Sequence, residues 1–160
     1  MSMFRTFLPS ILVAFATPIG AAEEATIEAL RELSELGLSA AIVAQAQDEV
    51  APGGPLATDG QAIALVARAL FDAGDETRAV ELLNNAEPSE ASRVWVVAEK
   101  ARIALARDEL RVVIDLLGVD TERGAGLRYP QHAESYLLLG RALFRADRPD
   151  KARTLLERFL

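Results

Sequence analysis

Cysteine is absent from the 160 residues, histidine and tryptophan each occur once, and aromatic residues make up only 6%. Without cysteine the chain has no disulfide and no thiolate metal site. A single histidine, His132, rules out the histidine clusters that usually hold a catalytic metal, and any Ser-His pair would have to use it. His132 stands near Pro130 in a long polar connection and is expected to be a solvated loop residue. No Gly-x-Ser-x-Gly turn occurs that would present a nucleophilic serine. The Gly-x-Gly pair in "RGAGLRYP" lacks the third glycine and follows a helical pattern, so it is not expected to cradle phosphate. Glu32, Glu35, Asp108 and Glu109 read as helix-surface carboxylates with nothing nearby to desolvate them. No catalytic residue, no cofactor and no metal is expected, and the chain is not expected to be an enzyme.

Positive charge is scarce in the first half. Residues 23 to 90 carry three basic against fourteen acidic side chains, a net of −11. Residues 91 to 140 carry seven of each, and residues 141 to 160 carry six basic against three acidic, a net of +3. With −7 overall, attraction to nucleic acid is not expected. The molecule is instead polarised from an acidic front to a basic end.

Long apolar runs are missing apart from one near the start. Arg5, the run "FLPSILVAFA" and the small-residue stretch "TPIGAA" together have the pattern of a secretory signal peptide over residues 1–22, with cleavage expected after Ala22. Pro9, Pro18 and Gly20 interrupt a run that barely reaches spanning length, which disfavours an uncleaved anchor. The expected location is periplasmic or secreted, with no stable membrane insertion after cleavage.

Strand-like alternation is also lacking, whereas helical periodicity is frequent, so the expected fold class is all-α. Ile63, Val66, Ala67 and Leu70 form one apolar stripe, Asp59 is placed to cap its start, and Gly74 sits where the helix should stop. Asp75 can then cap a second helix burying Ala79, Leu82, Leu83 and Ala86. The stretch "RALFDAGDETRAVELL" (68–83) returns as "RALFRADRPDKARTLL" (141–156), with eight of sixteen positions identical. In the later copy Tyr136, Leu139, Gly140 and Leu143 make the first stripe, Ala152, Leu155, Leu156 and Phe159 the second, and Pro149 begins the second helix. Between them, superposing Leu116 and Leu117 on Leu82 and Leu83 gives a shift of 34 residues, and the last unit follows after 39.

A 34-residue unit of two helices, with Ala67 and Gly140 at the first crossing point and Ala79 and Ala152 at the second, resembles the tetratricopeptide repeat (TPR) family. The middle unit departs from the pattern at Lys100, where leucine is usual, and at Val113, where alanine is usual. The resemblance implies a right-handed superhelix of antiparallel hairpins, about four hairpins and eight helices. Three TPR-like repeats are expected over 59–92, 93–131 and 133–160, with a long loop at 118–132. Upstream, Ile27, Leu30, Leu33 and Leu36 suggest a helix ending at Gly37, and Ser39 could cap the next, giving an N-terminal hairpin over 23–50 and a linker over 51–58.

Stacked hairpins leave a concave face for a protein partner. Arg68, Arg102 and Arg141 occupy the same place in the three units, one residue beyond the buried Ala or Gly, and the resemblance places that position toward the groove. Forked guanidinium groups there suit the carboxylates of an acidic segment or a chain terminus. Arg68 and Arg102 also have acids in their own helices, Asp72 and Glu99, whereas Arg141 has Arg145 one turn on, a like-charge pair that an anion would relieve. Trp95 is expected to pack between helices, and becomes an interface anchor if it faces the groove. The apolar cluster Leu155, Leu156, Phe159 and Leu160 further suggests self-association through the C-terminal end. The expected function is therefore an exported protein-interaction module, a periplasmic scaffold or assembly factor of a cell-envelope complex. The alternative is the helical solenoid portion of a cell-wall-acting enzyme whose catalytic domain is absent from this chain.

Overall fold

Each strongly periodic stretch folds as a helix. The computed structural model describes residues 19–121 and 124–159, and these contain eight helices arranged in consecutive pairs. The pairs are α1 (Ile19–Glu35) with α2 (Ser39–Ala46), α3 (Gly60–Asp72) with α4 (Glu76–Asn85), α5 (Arg93–Ala106) with α6 (Leu110–Leu117), and α7 (Ala133–Arg145) with α8 (Pro149–Leu156). The fold is all-α apart from one short strand pair. Residues 1–18, which hold most of the expected signal peptide, and Leu160 of the expected apolar end lie outside the described residues. Helix α1 runs through the expected cleavage position at Ala22.

One device closes all four hairpins. Gly37, Gly74, Asp108 and Asp147 take left-handed backbone angles, with φ of 69°, 87°, 64° and 57°. The residue after each donates its N–H back over the turn, Leu38 to Leu33, Asp75 to Leu70, Glu109 to Ala104 and Arg148 to Leu143, each at 2.9 Å. This six-to-one bond satisfies carbonyls that the helix end would otherwise leave unpaired. Gly74, Asp108 and Asp147 stand at the 34- and 39-residue shifts, so the repeat fixes the turn as well as the helices. Glycine enters this conformation freely; an aspartate is strained there by about 1 kcal/mol. Asp59 and Asp75 cap α3 and α4 with side-chain bonds to the N–H of Ala62 and Arg78. Ser39 does not cap α2: it is that helix's first residue, and Leu38 takes the cap position without a side-chain bond.

Helix α5 is a wall shared by two cores. Its Val96 and Ile103 join a cluster with α1 to α4, while its Ala101, Ala104 and Leu105 join one with α6 to α8. Leu83 and Leu139 are among the largest fully buried side chains, one in each cluster. A fully buried leucine contributes roughly 2 kcal/mol, whereas an exposed ion pair contributes about 0–1, so the two cores rather than the surface charges hold the hairpins together. The 51–58 stretch is a run of turns that pins Leu56 into the first core, its N–H bonded to the Glu49 carbonyl at 2.9 Å. Gly60 then meets the start of α5 so closely that a Cβ there would lie 2.1 Å from the Ser92 carbonyl oxygen.

The expected loop at 118–132 contains an antiparallel strand pair, β1 (Gly118–Thr121) with β2 (Gly124–Leu127). These five-residues-longer surroundings of the third unit are anchored by the Arg128 N–H on the Leu117 carbonyl at 2.8 Å and by Leu127 packing on the second core.

Candidate interaction groove

Arg68 and Arg102 converge on one carboxylate. Glu99, on α5, is 1% exposed, and it accepts bonds from Arg68 Nε and Nη2 at 3.1 and 2.9 Å and from Arg102 Nε at 2.8 Å. Arg68 Nη2 also reaches Glu134 at the start of α7, at 3.1 Å, so α3, α5 and α7 are joined through one guanidinium. Arg102 Nη2 lies 2.6 Å from Glu99 Oε1 in poor hydrogen-bond alignment, and its Nη1 is 3.5 Å from Asp72 Oδ1. The guanidinium also sits over the Phe71 ring, 5.2 Å from its centre, a geometry in which the ring face attracts the cation. Burial opposes the charge on Arg68, but Glu99 and Glu134 outweigh it and raise its pKa above the ordinary value.

Asp72, the acid one turn away in Arg68's own helix, is not its partner. It pairs instead with Arg102 on the neighbouring helix, because Glu99 draws Arg68 across to α5. The Glu99–Arg102 pair within α5 forms as expected.

Trp95 is partly buried and meets the His132 ring edge-on, with centres 4.7 Å apart and planes at 86°. His132 is therefore not a solvated loop residue. It precedes α7, is 7% exposed, and its Nδ1 lies 2.9 Å from Ser135 Oγ. Burial lowers its pKa, Glu134 partly offsets this, and Arg68 adds to the lowering. The Ser135–His132 pair has the elements of nucleophilic chemistry without access to a substrate, since Ser135 is fully buried. Its evident work is to fix the entry of α7 against Trp95. Trp95 and Arg68 also border a cavity of about 240 Å³ with Arg31, Glu35, Gln61 and Glu134. Among the described residues, no cluster of three or more histidine, aspartate or glutamate side chains is placed to hold a metal ion.

A second opening lies elsewhere. An open groove of about 840 Å³ is walled by α5, α7 and α8, with Leu105, Leu138 and Leu156 on its apolar surface and Arg102, Arg141, Arg145 and Arg153 around it. Among the described residues, Glu157 is the only acidic one on its lining. Arg145 does not wait for an anion: its Nη2 is 2.8 Å from Asp108 Oδ1 and its Nη1 donates to the Leu105 carbonyl at 3.1 Å. Arg141 is different. It is exposed, and among the described residues its guanidinium has no ion-pair or hydrogen-bond partner. The structure thus brings Arg102, Arg141 and Arg145 to one groove and leaves Arg68 and Trp95 at the other opening.

The chain matches no protein-family model, no curated protein and no solved structure. The surfaces themselves therefore carry the functional reading. Sequence reasoning placed Glu99 only beside Arg102 and missed its burial and its bond to Arg68. The signal was its position: Leu65 and Leu138 occupy the corresponding places in the other units, so a glutamate there stands in an apolar register.

Proposed function

We propose that this chain is an exported, TPR-like, non-enzymatic module that binds protein, serving as a periplasmic scaffold or assembly factor of a cell-envelope complex. The observation that carries the binding role is the open groove between α5, α7 and α8, with its apolar surface and an Arg141 that has no partner among the described residues. Apolar area supplies affinity, and a ring of cations selects a partner with complementary charge. The export reading rests on the composition of residues 1–22 alone. The buried state of the Ser135–His132 pair supports a binding role over a catalytic one.

Photocrosslinking amino acids placed at Arg102, Arg141 and Arg145 in cells test the binding role, with Arg111 and Glu81 as probes away from the groove lining. Capture of a specific protein from the groove positions is the expected result. Capture from Arg111 or Glu81 alone would remove the groove from the proposal. Mass spectrometry of the chain recovered from the producing cell is expected to find Glu23 at its N-terminus, and an intact Met1 would remove cleavage.

A further inference from the structure

The repeat itself contains a template for what the groove accepts. Arg68, Phe71 and Asp72 at the end of α3 correspond to Arg141, Phe144 and Arg145 at the end of α7, and Ala64 corresponds to Leu137. In the first copy α5 packs on this surface: Glu99 takes Arg68, and Arg102 covers Phe71 and reaches Asp72. In the last copy the equivalent surface is open among the described residues. Leu137 is 48% exposed and Phe144 69%, while Ala64 is 7% exposed. The second helices repeat the contrast, since Leu83 is fully buried in a cluster with Val96 and Ile103 of α5, and its counterpart Leu156 is only partly buried.

We infer that the groove docks a partner's amphipathic helix that packs on α7 and α8 as α5 packs on α3 and α4, and that this helix presents two carboxylates spaced i, i+3. The first carboxylate follows from Arg141 standing where Arg68 stands, so it takes the role of Glu99. The second follows from a change of sign. Asp72 accepts a cation from α5, but Arg145 occupies its place, so the incoming helix needs an acid where α5 carries Arg102. Arg145 keeps N–H groups beyond those given to Asp108 and Leu105, and a guanidinium has five. Residues i and i+3 lie on one face of a helix, about one turn apart, which matches the spacing of Arg141 and Arg145 along α7. The apolar stripe of the incoming helix would cover Leu137, Phe144 and Leu156.

This inference rests on the protein-binding reading above, and the test separates the two. The probe is a hydrocarbon-stapled peptide with the sequence of α5, Arg93 to Ala106, carrying Arg102→Glu, titrated into the purified full chain and followed by fluorescence anisotropy. It is expected to bind at least about tenfold more tightly than the same peptide with Arg102 retained, and Glu99→Gln in the peptide should weaken it about fivefold or more. Arg141→Glu in the protein should weaken binding at least about tenfold, Phe144→Ala should weaken it too, and Arg31→Glu at the far end should not. Both groove residues are exposed, so circular dichroism of the variants should match the parent.

Equal binding of the two peptides, undiminished binding to the Arg141→Glu protein, or no saturable binding would overturn the inference. If crosslinking still captured a protein from Arg141, the binding function would stand while the paired-carboxylate helix fell. Sedimentation provides the remaining outcome. Concentration-dependent self-association abolished by Arg141→Glu would give the face to a second copy of this chain, whose front half is acidic, and would overturn its assignment to a different partner.

Discussion

Arg68 and Arg141 stand at the same place in two copies of one unit, followed in both by Ala-Leu-Phe, yet their surroundings differ. Arg68 is locked between Glu99 and Glu134, with α5 lying over the neighbouring Phe71. Arg141 faces a groove beside an exposed Phe144. The lesson is that the residue type does not decide whether such a position is structural. What decides it is the next helix. Within the chain the next helix supplies an acid, and the arginine becomes part of the frame. On α7 no acid is supplied to it among the described residues, and the same cation stays exposed.

The contrast is broken most severely at Glu99. Glu99→Gln leaves two guanidinium groups facing a site that has lost its charge, and should cost about 3 kcal/mol in urea denaturation. That figure is near the lower end for a broken buried pair because Arg68 and Arg102 both reach solvent. Arg141→Ala should change stability by no more than about 0.5 kcal/mol. A similar cost for both would mean that Arg141 is also part of the frame.

A second distinction between frame and open face lies in pH. His132 belongs to the frame, and its lowered pKa means that the unfolded chain takes up this proton before the folded chain does. Its contribution is therefore fully present above the ordinary histidine range near ~6.5 and declines as pH falls through it toward the lower folded value. Thermal melting between pH 7.5 and 5.5 should show this decline, and His132→Gln should flatten it. An unchanged slope in the variant would assign the decline to other groups.

The smallest expected effect concerns the turn of the last unit. Asp147→Gly should raise stability by about 0.5–1 kcal/mol, since glycine relieves the positive φ that the repeat already meets with Gly74. A loss of stability on that substitution would show that the aspartate side chain outweighs its backbone strain.

The helices were legible because their stripes recur at fixed shifts: Ile63, Val66, Ala67 and Leu70 are all buried, and the ends of α3, α5 and α7 fall at the same place in each unit. The strand pair was not, since "GVDT" and "GAGL" are too short and glycine-rich to show alternation. The turns of the later units were hidden because Asp108 and Asp147 do the work of a glycine without looking like one. The arginine ladder was visible as a recurrence, and so was the Glu99–Arg102 pair within α5, but the cross-helix partners were not. They come from other helices, and Glu99 meets Arg68 from 31 residues away. His132 was misread for the same reason, because Trp95 comes to it from the preceding unit.

The absence of native cysteine permits the most direct test of the open-face contrast. Single-cysteine variants Ala64→Cys and Leu137→Cys place a thiol at corresponding positions of α3 and α7, and maleimide labelling under native conditions reads their accessibility. The cysteine at Leu137 is expected to label at least about tenfold faster, since opening of the covered site carries a free-energy cost that the exposed site does not. Equal rates in folded protein would contradict the claim that α5 closes on α3 a surface that α7 leaves open.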